Sequence, residues 1–125
     1  MLNILLVGLG GFCGSISRYL VSIGIQRIIS HSWLPYGTLT VNILGCLLIG
    51  VLGGLADMRQ IISVETRLLL MVGFLGGFTT FSSFEFELFA LARNSEFGAL
   101  LVNFSLQLVL GFGAVWLGYT LAKLV

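Results

Sequence analysis

Apolar residues fill four long stretches of the chain, and short polar segments separate them. The stretches cover about 2–28, 38–56, 68–92 and 98–123. A helix that crosses a bilayer needs roughly 20 mostly apolar residues, and each stretch approaches or exceeds that length. The pattern therefore predicts an all-α membrane protein with four transmembrane helices, forming a single integral membrane domain over 1–125.

The third apolar stretch contains a segment that disfavours a continuous helix. Gly76 and Gly77 each weaken a helix by about 1 kcal/mol relative to Ala, and the Thr and Ser residues that follow can bond the backbone locally. In hydrocarbon, irregular backbone persists only where protein buries it or where it lines a wet cavity. We therefore expect the third helix to be broken at about 76–79, and a break at membrane depth is a candidate ion site.

The residues after the expected break place two rings and a polar stripe on a resumed helix. Phe81 and Phe84 are three residues apart and so share a face. Thr80, Ser83 and Glu87 form a polar stripe beside them. Spacing alone leaves two interpretations of the rings open: helix packing, or contact with a permeating ion.

Small residues recur at helical spacing in the first predicted helix, and an arginine follows them on the same face. Gly10 and Gly14, like Gly11 and Ser15, form small-xxx-small pairs, which allow another helix to approach closely. Arg18 follows on the same face. It either extends its charge to the membrane interface or faces a wet vestibule, where it would raise the local anion concentration.

The second and fourth helices each carry amides in line with small residues. One seam consists of Asn42, Cys46, Gly50 and Gly54, and the other of Asn103, Gln107 and Gly111, with Gly118 further along. The small residues predict tight helix packing. The Asn42 amide has two donor hydrogens and an acceptor oxygen, so it can either cross-link helices or bind a permeating anion.

Composition supports membrane insertion and excludes several classes of function. Hydrophobic residues make up 58% of the chain and charged residues 9%, against about 25% charged residues in soluble domains. A net charge of +1 indicates no nucleic-acid partner. No nucleophile–base pair or metal-ligand spacing suggests an enzyme. The first apolar stretch lacks a basic leader and exceeds signal-peptide length, so we expect it to be retained.

The flanking charges predict an unusual membrane orientation. Arg59, Arg67 and Lys123 fall on one side of the four predicted crossings, and Arg27 and Arg93 fall on the other. The positive-inside rule counts these residues, and their near balance indicates either a weakly set topology or insertion in both directions. Insertion in both directions would permit an antiparallel homodimer, which would also bury the polar groups of a thin four-helix bundle.

Three segments resemble the signature stretches of the Fluc (CrcB) family of bacterial fluoride channels. They are GGFCGSISRY at 10–19, GTLTVNILG at 37–45 and GGFTTFSSF at 76–84. The segments occur in the family's order, in three of the four helices, and the third is the most specific. The fourth helix departs in part, because Asn103 and Gln107 stand where the family carries a tyrosine-and-serine polar track.

The resemblance implies a dual-topology homodimer that exports toxic fluoride passively across the bacterial plasma (inner) membrane. It implies a central Na⁺ at the dimer axis, held by the backbone carbonyls of Gly76 and Thr79. The remaining implied site residues are the pore rings Phe81 and Phe84, the pore amide Asn42, the vestibule cation Arg18, and the polar positions Thr38, Ser82 and Glu87. The fourth-helix amides Asn103 and Gln107, which depart from the family pattern, are added as candidate pore residues. An aromatic ring has a positive edge, so fluoride should meet the ring edges.

Two other functions compete with the channel. A small proton-coupled drug exporter can also be a four-helix dual-topology dimer, but it needs a titratable carboxylate in its first helix. The acidic residues here are Asp57, Glu65, Glu85, Glu87 and Glu96, none of which lies in that helix. A non-transporting assembly subunit would explain the glycines but not Arg18 and Asn42 at membrane depth.

Overall fold

The computed structural model describes residues 1–29, 33–59 and 61–124, and within these ranges it contains helices and no strands. The helical elements, in order, are α1 (Leu2–Ile28), α2 (Tyr36–Arg59), α3 (Val64–Thr66), a π-helical stretch (Arg67–Leu75), α4 (Gly76–Phe78), α5 (Phe81–Arg93) and α6 (Phe97–Leu121). Four spans are long and apolar enough to cross a membrane: Leu2–Ile28, Tyr36–Met58, Val64–Arg93 and Phe97–Leu121. The prediction of a four-helix, multi-pass membrane protein is confirmed.

The second and third spans extend beyond the ranges expected from hydrophobicity. Helix α2 starts at Tyr36 because the Leu39 N–H donates to the Pro35 carbonyl at 3.3 Å, and proline at a helix start loses no intrahelical bond. The third span starts at Val64, after Ser63, whose side chain accepts the Thr66 N–H at 3.2 Å. Local capping bonds, which hydrophobicity does not register, set these starts.

The third span changes backbone conformation at Thr79 and Thr80. Residues Gly76–Phe78 are helical, whereas Thr79 (ψ 158°) and Thr80 (φ −151°, ψ 110°) are extended. The Thr79 N–H still donates to the Leu75 carbonyl at 2.9 Å, but the Thr80 N–H donates to the Asn42 side chain at 2.9 Å. The extended residues are thus Thr79, at the end of the range expected for the break, and Thr80, whose N–H is bonded to α2.

Helix α1 packs against the first half of the third span through the predicted small residues. A side chain at Gly10 would overlap the Leu69 carbonyl, and one at Gly14 would overlap the Phe74 carbonyl. Increasing residue numbers pair with increasing numbers, so the two elements run parallel. Backbone-to-backbone packing of this kind confirms the close approach that the glycine spacing predicts.

Helices α2 and α6 form the second parallel pair. A side chain at Gly50 would overlap the Val115 carbonyl, and one at Gly54 would lie 3.0 Å from the Tyr119 carbonyl, so numbers again increase together. A side chain at Gly118 would overlap the Leu47 carbonyl. On the same seam, Asn42 Nδ2 donates to Gln107 Oε1 at 3.3 Å, across 65 residues of sequence. The small residues of both helices therefore fix the register that brings the two amides together.

The interior of the single chain is small, and its outer surface is apolar. Val41, Leu75 and Phe78 form the buried cluster, while large apolar side chains such as Phe12, Phe86 and Phe112 are mostly exposed. In a bilayer such side chains contact lipid tails, which are as apolar as they are. The polar groups inside this thin bundle are therefore the exception to an otherwise apolar molecule.

Candidate functional site

The central feature of the site is a two-bond contact between a side chain of α2 and the extended backbone of the third span. Asn42 Oδ1 accepts the Thr80 N–H at 2.9 Å, and Asn42 Nδ2 donates to the Thr80 carbonyl at 3.1 Å. One amide thus replaces both helical partners that Thr80 would otherwise have. Unpaired backbone groups are costly in a membrane, so Asn42 makes the interruption tolerable.

Thr80 also starts the helix that follows the interruption. Its Oγ1 accepts the Ser83 N–H at 3.2 Å and donates to Ser83 Oγ at 3.0 Å. This is an N-cap, which satisfies a donor that the first helical turn leaves unpaired. Ser82, an expected site residue, is exposed and lies 3.4 Å from Thr80 Oγ1.

Polar side chains continue along the bundle from Asn42. One turn earlier on α2, Thr38 Oγ1 donates to Glu87 Oε1 of α5. On α6, Gln107 accepts from Asn42, and Asn103 is completely buried. The structure therefore pairs Thr38 with Glu87 and Asn42 with Gln107, four predicted site residues on three different helices, and buries Asn103 one turn before Gln107.

The two candidate rings differ sharply in exposure. Phe81 is 71% exposed and Phe84 is 4% exposed. Their centroids are 5.9 Å apart with an interplanar angle of 60°, an edge-to-face arrangement. The positive edge of one ring is therefore directed at the negative face of the other, an arrangement aromatic pairs favour.

A groove of about 420 Å³ lies beside the extended residues. Both rings contribute to its wall, together with Asn42, Gly45, Cys46, Ile49, Met71, Leu75, Gly76, Thr79, Thr80, Gln107 and Leu108. Gly76 is exposed, and no atom lies within 4 Å of the position that a side chain there would take. The expected metal positions Gly76 and Thr79 thus share one groove with Phe81, Phe84, Asn42 and Gln107.

Arg18 is the expected site residue that the structure keeps apart from this groove. It lies on α1, is partly buried, and does not line the groove. In the part of the chain that is described, the ion pair present joins Arg67 to Asp57 at 3.8 Å, and Arg18 has none. A vestibule position at some distance from the rings is compatible with this placement.

The Thr80 cap of α5 is a local backbone bond of the kind that the Thr and Ser residues after the glycines predict. The two bonds between the Thr80 backbone and the Asn42 side chain are not predicted from the sequence. A Thr three residues after a Gly-Gly pair and just before an apolar-periodic segment fits an N-cap. No sequence signal could have paired it with a residue 38 positions earlier.

The fold and site define a multi-pass membrane protein whose third span is interrupted at a polar site. The family model described as "CrcB-like protein, Camphor Resistance (CrcB)" matches residues 5–119. The chain therefore belongs to the CrcB family, as the three signature segments indicate.

Curated relatives agree over nearly the whole chain. A protein of Methylobacillus flagellatus is 42% identical over 125 residues, covering 99% of this chain and 97% of the relative. Proteins of Chlorobium chlorochromatii (46% identical, 97% and 92% covered) and Chlorobium luteolum (44%, 98% and 93%) are similarly close. All three are named "Fluoride-specific ion channel FluC".

Proposed function

We propose that this protein is a fluoride channel that exports toxic fluoride passively across the bacterial plasma membrane. The names of its full-length relatives support the ion, and a channel of this family is not an enzyme. The observation that carries the proposal is the Asn42–Thr80 contact, which holds extended backbone beside a groove within a membrane span. A drug exporter is not favoured, because α1 contains no acidic residue.

The proposed active form is a homodimer of two copies in inverted orientation. The open groove and the uncovered Gly76 support it, because the polar backbone beside them would otherwise face lipid. An inverted second copy places another groove opposite the first, so that polar backbone is enclosed by protein as membranes require.

The residues at the proposed dimer axis fit a Na⁺ ion. Because the Thr80 N–H donates to Asn42, the Gly76 carbonyl lacks the usual helical bond from four residues later. Thr79, with its extended backbone, follows on the same groove wall. Carbonyl oxygens are hard ligands suited to a hard cation, and the bound ion would supply positive charge near an anion path in low dielectric.

The proposed fluoride path uses the polar residues and the two rings. Fluoride loses water on entering, so donors must replace that water. Both Asn42 Nδ2 bonds are already formed, and the one to Gln107 is the longer at 3.3 Å, against 3.1 Å to Thr80. Fluoride would therefore replace Gln107 as the acceptor and meet the edges of Phe81 and Phe84. Thr38, Ser82, Glu87 and Asn103 would line the path, with Arg18 at its mouth.

Ion efflux from liposomes tests the proposed function. Purified protein reconstituted into liposomes should release fluoride rapidly and chloride hardly at all, and empty liposomes provide the background. Equal rates for the two halides, or no release of either by correctly folded protein, would defeat the assignment. Cross-linking of single cysteines placed at opposite ends of the chain tests the inverted dimer independently.

A further inference from the structure

Four buried polar atoms on α5 and α6 have no hydrogen-bond partner among the described residues. They belong to three side chains and are Glu87 Oε2, Asn103 Oδ1, Asn103 Nδ2 and Gln107 Nε2. Buried polar atoms are almost always paired with protein or ordered water. Asn103 stands out, because it is fully buried within a single chain and neither of its amide atoms is satisfied.

The helix register places these atoms at one level of the bundle. Asn42 contacts Gln107 on the parallel helix pair, so Thr38, one turn before Asn42, lies beside Asn103, one turn before Gln107. Thr38 in turn donates to Glu87 Oε1. The unpaired oxygen of Glu87 therefore lies at the level of the unpaired amide of Asn103.

The mixture of donors and acceptors identifies the ligand. Two of the atoms are oxygens and two are amide nitrogens that donate. An anion would satisfy the nitrogens and leave the oxygens unpaired, and a cation would do the reverse. Water both donates and accepts, and a buried water needs two to four polar partners, a requirement that this set meets.

We infer that Glu87, Asn103 and Gln107 enclose a buried water site, in which bound water bridges Glu87 Oε2 to the Asn103 amide. Since Thr38 holds one carboxylate oxygen and the bridge holds the other, Asn103 acts as a positioning residue for Glu87. Gln107 Oε1 is already engaged by Asn42, so its Nε2 donates into the same water site.

Solid-state NMR on labelled protein in liposomes tests the bridge without fluoride. Magnetisation should pass from water to the Asn103 side-chain nitrogen and the Glu87 carboxyl carbon, with exposed Asn94 as the reference for full transfer. In Asn103→Leu the transfer to Glu87 should fall by about threefold or more, because the bridging partner is gone. Transfer to Asn94 should not change.

Two further variants keep the test decisive. Asn103→Ser retains a hydroxyl that can bind water, so it should keep most of the transfer to Glu87 even if the leucine variant fails to fold. Leu101→Ala, on the exposed side of the same helix, controls for a general change in packing. Absence of transfer in the unsubstituted protein, or unchanged transfer to Glu87 in Asn103→Leu, would overturn the inference.

This experiment is independent of the proposed transport activity. Fluoride efflux measured on the same liposomes reports on the channel, whereas the NMR signal reports only on hydration. Protein that binds the water but passes no fluoride would refute the channel and leave the water site standing.

Discussion

The two halves of the third span are held in place by opposite means. The first half, Val64–Phe78, approaches α1 so closely that side chains at Gly10 or Gly14 would overlap its carbonyls. The second half, α5, begins with a hydroxyl cap and is tied to α2 by hydrogen bonds from Asn42 and Thr38. Phe81, Phe86 and Phe89 on this half are largely exposed.

The difference shows how a membrane protein can combine rigidity with a polar path. Close backbone packing needs no polar groups and works in lipid, where apolar surface alone does not drive association. Extended backbone needs partners, and α2 supplies them at the junction between the halves. The closely packed half, Val64–Phe78, therefore anchors the span, and the hydrogen-bonded half, α5, carries the residues of the proposed ion path.

Gly14→Leu should cause the largest loss of stability, because it disrupts the packing of α1 on the first half of the third span, Val64–Phe78. Its side chain would overlap the Phe74 carbonyl, and overpacking against backbone costs about 1–3 kcal/mol or more. We expect loss of folded, monodisperse protein by size-exclusion chromatography. The control is Gly8→Leu on the same helix, where no atom lies within 4 Å. Equal behaviour of the two variants would contradict the close packing.

Asn42→Asp should have the next largest effect, at the junction of the halves. The change removes both Nδ2 donations and sets a carboxylate oxygen against the Thr80 carbonyl. An unsatisfied buried group costs about 1–3 kcal/mol, so we expect lower thermal stability together with loss of fluoride efflux. Asn94→Asp, in an exposed turn, is the matched control. Normal efflux from Asn42→Asp would reduce Asn42 to a packing residue.

Phe81→Ile, in α5, tests for an effect on fluoride efflux without an effect on folding. Phe81 is largely exposed in the single chain, so its loss should leave the chain folded while removing a ring edge from the path. We expect efflux to fall by roughly 100-fold, since pore-lining groups control permeation. Phe86→Ile, on the same helix and 69% exposed, should conduct normally. Similar rates for both variants would remove Phe81 from the path.

Thr80→Val should have the smallest effect on stability, and it tests the hydroxyl cap at the start of α5, where the two halves of the span meet. It deletes the cap of α5 but keeps both backbone bonds to Asn42. Loss of an N-cap costs about 1 kcal/mol, which chemical denaturation in detergent would measure. Ser82→Ala, beside it and exposed, should change stability much less. A larger loss from Ser82→Ala would contradict the capping role.

Much of the fold could be predicted from residue types and their spacing. Hydrophobicity predicted the four spans, and Gly10, Gly14, Gly50 and Gly118 marked the close contacts, because both depend on local composition and helical periodicity. The start of α2 at Tyr36 depends on the Pro35 carbonyl, a single-bond effect that apolar length does not reveal.

The candidate site was predictable as a set of residues but not as an arrangement. The family segments indicated Asn42, Phe81 and Phe84, while the bond from Asn42 to Thr80 depends on how two distant helices pack. The roles of all the predicted site residues, Asn42, Phe81 and Phe84 as well as Arg18, Gly76 and Thr79, stay predictions.

The π-helical stretch Arg67–Leu75 sets the rotation between the start of the third span and the residues that follow it. A π-helix turns less per residue than an α-helix, in which each residue advances by about 100°. Removing one residue there, or rewinding it to α geometry, would rotate Gly73, which packs on Gly10, relative to Thr80, which bonds Asn42, so that both contacts could not form together. A surface loop can absorb the insertion or deletion of one residue, whereas the same change in this segment would alter the rotation between the two halves of the span.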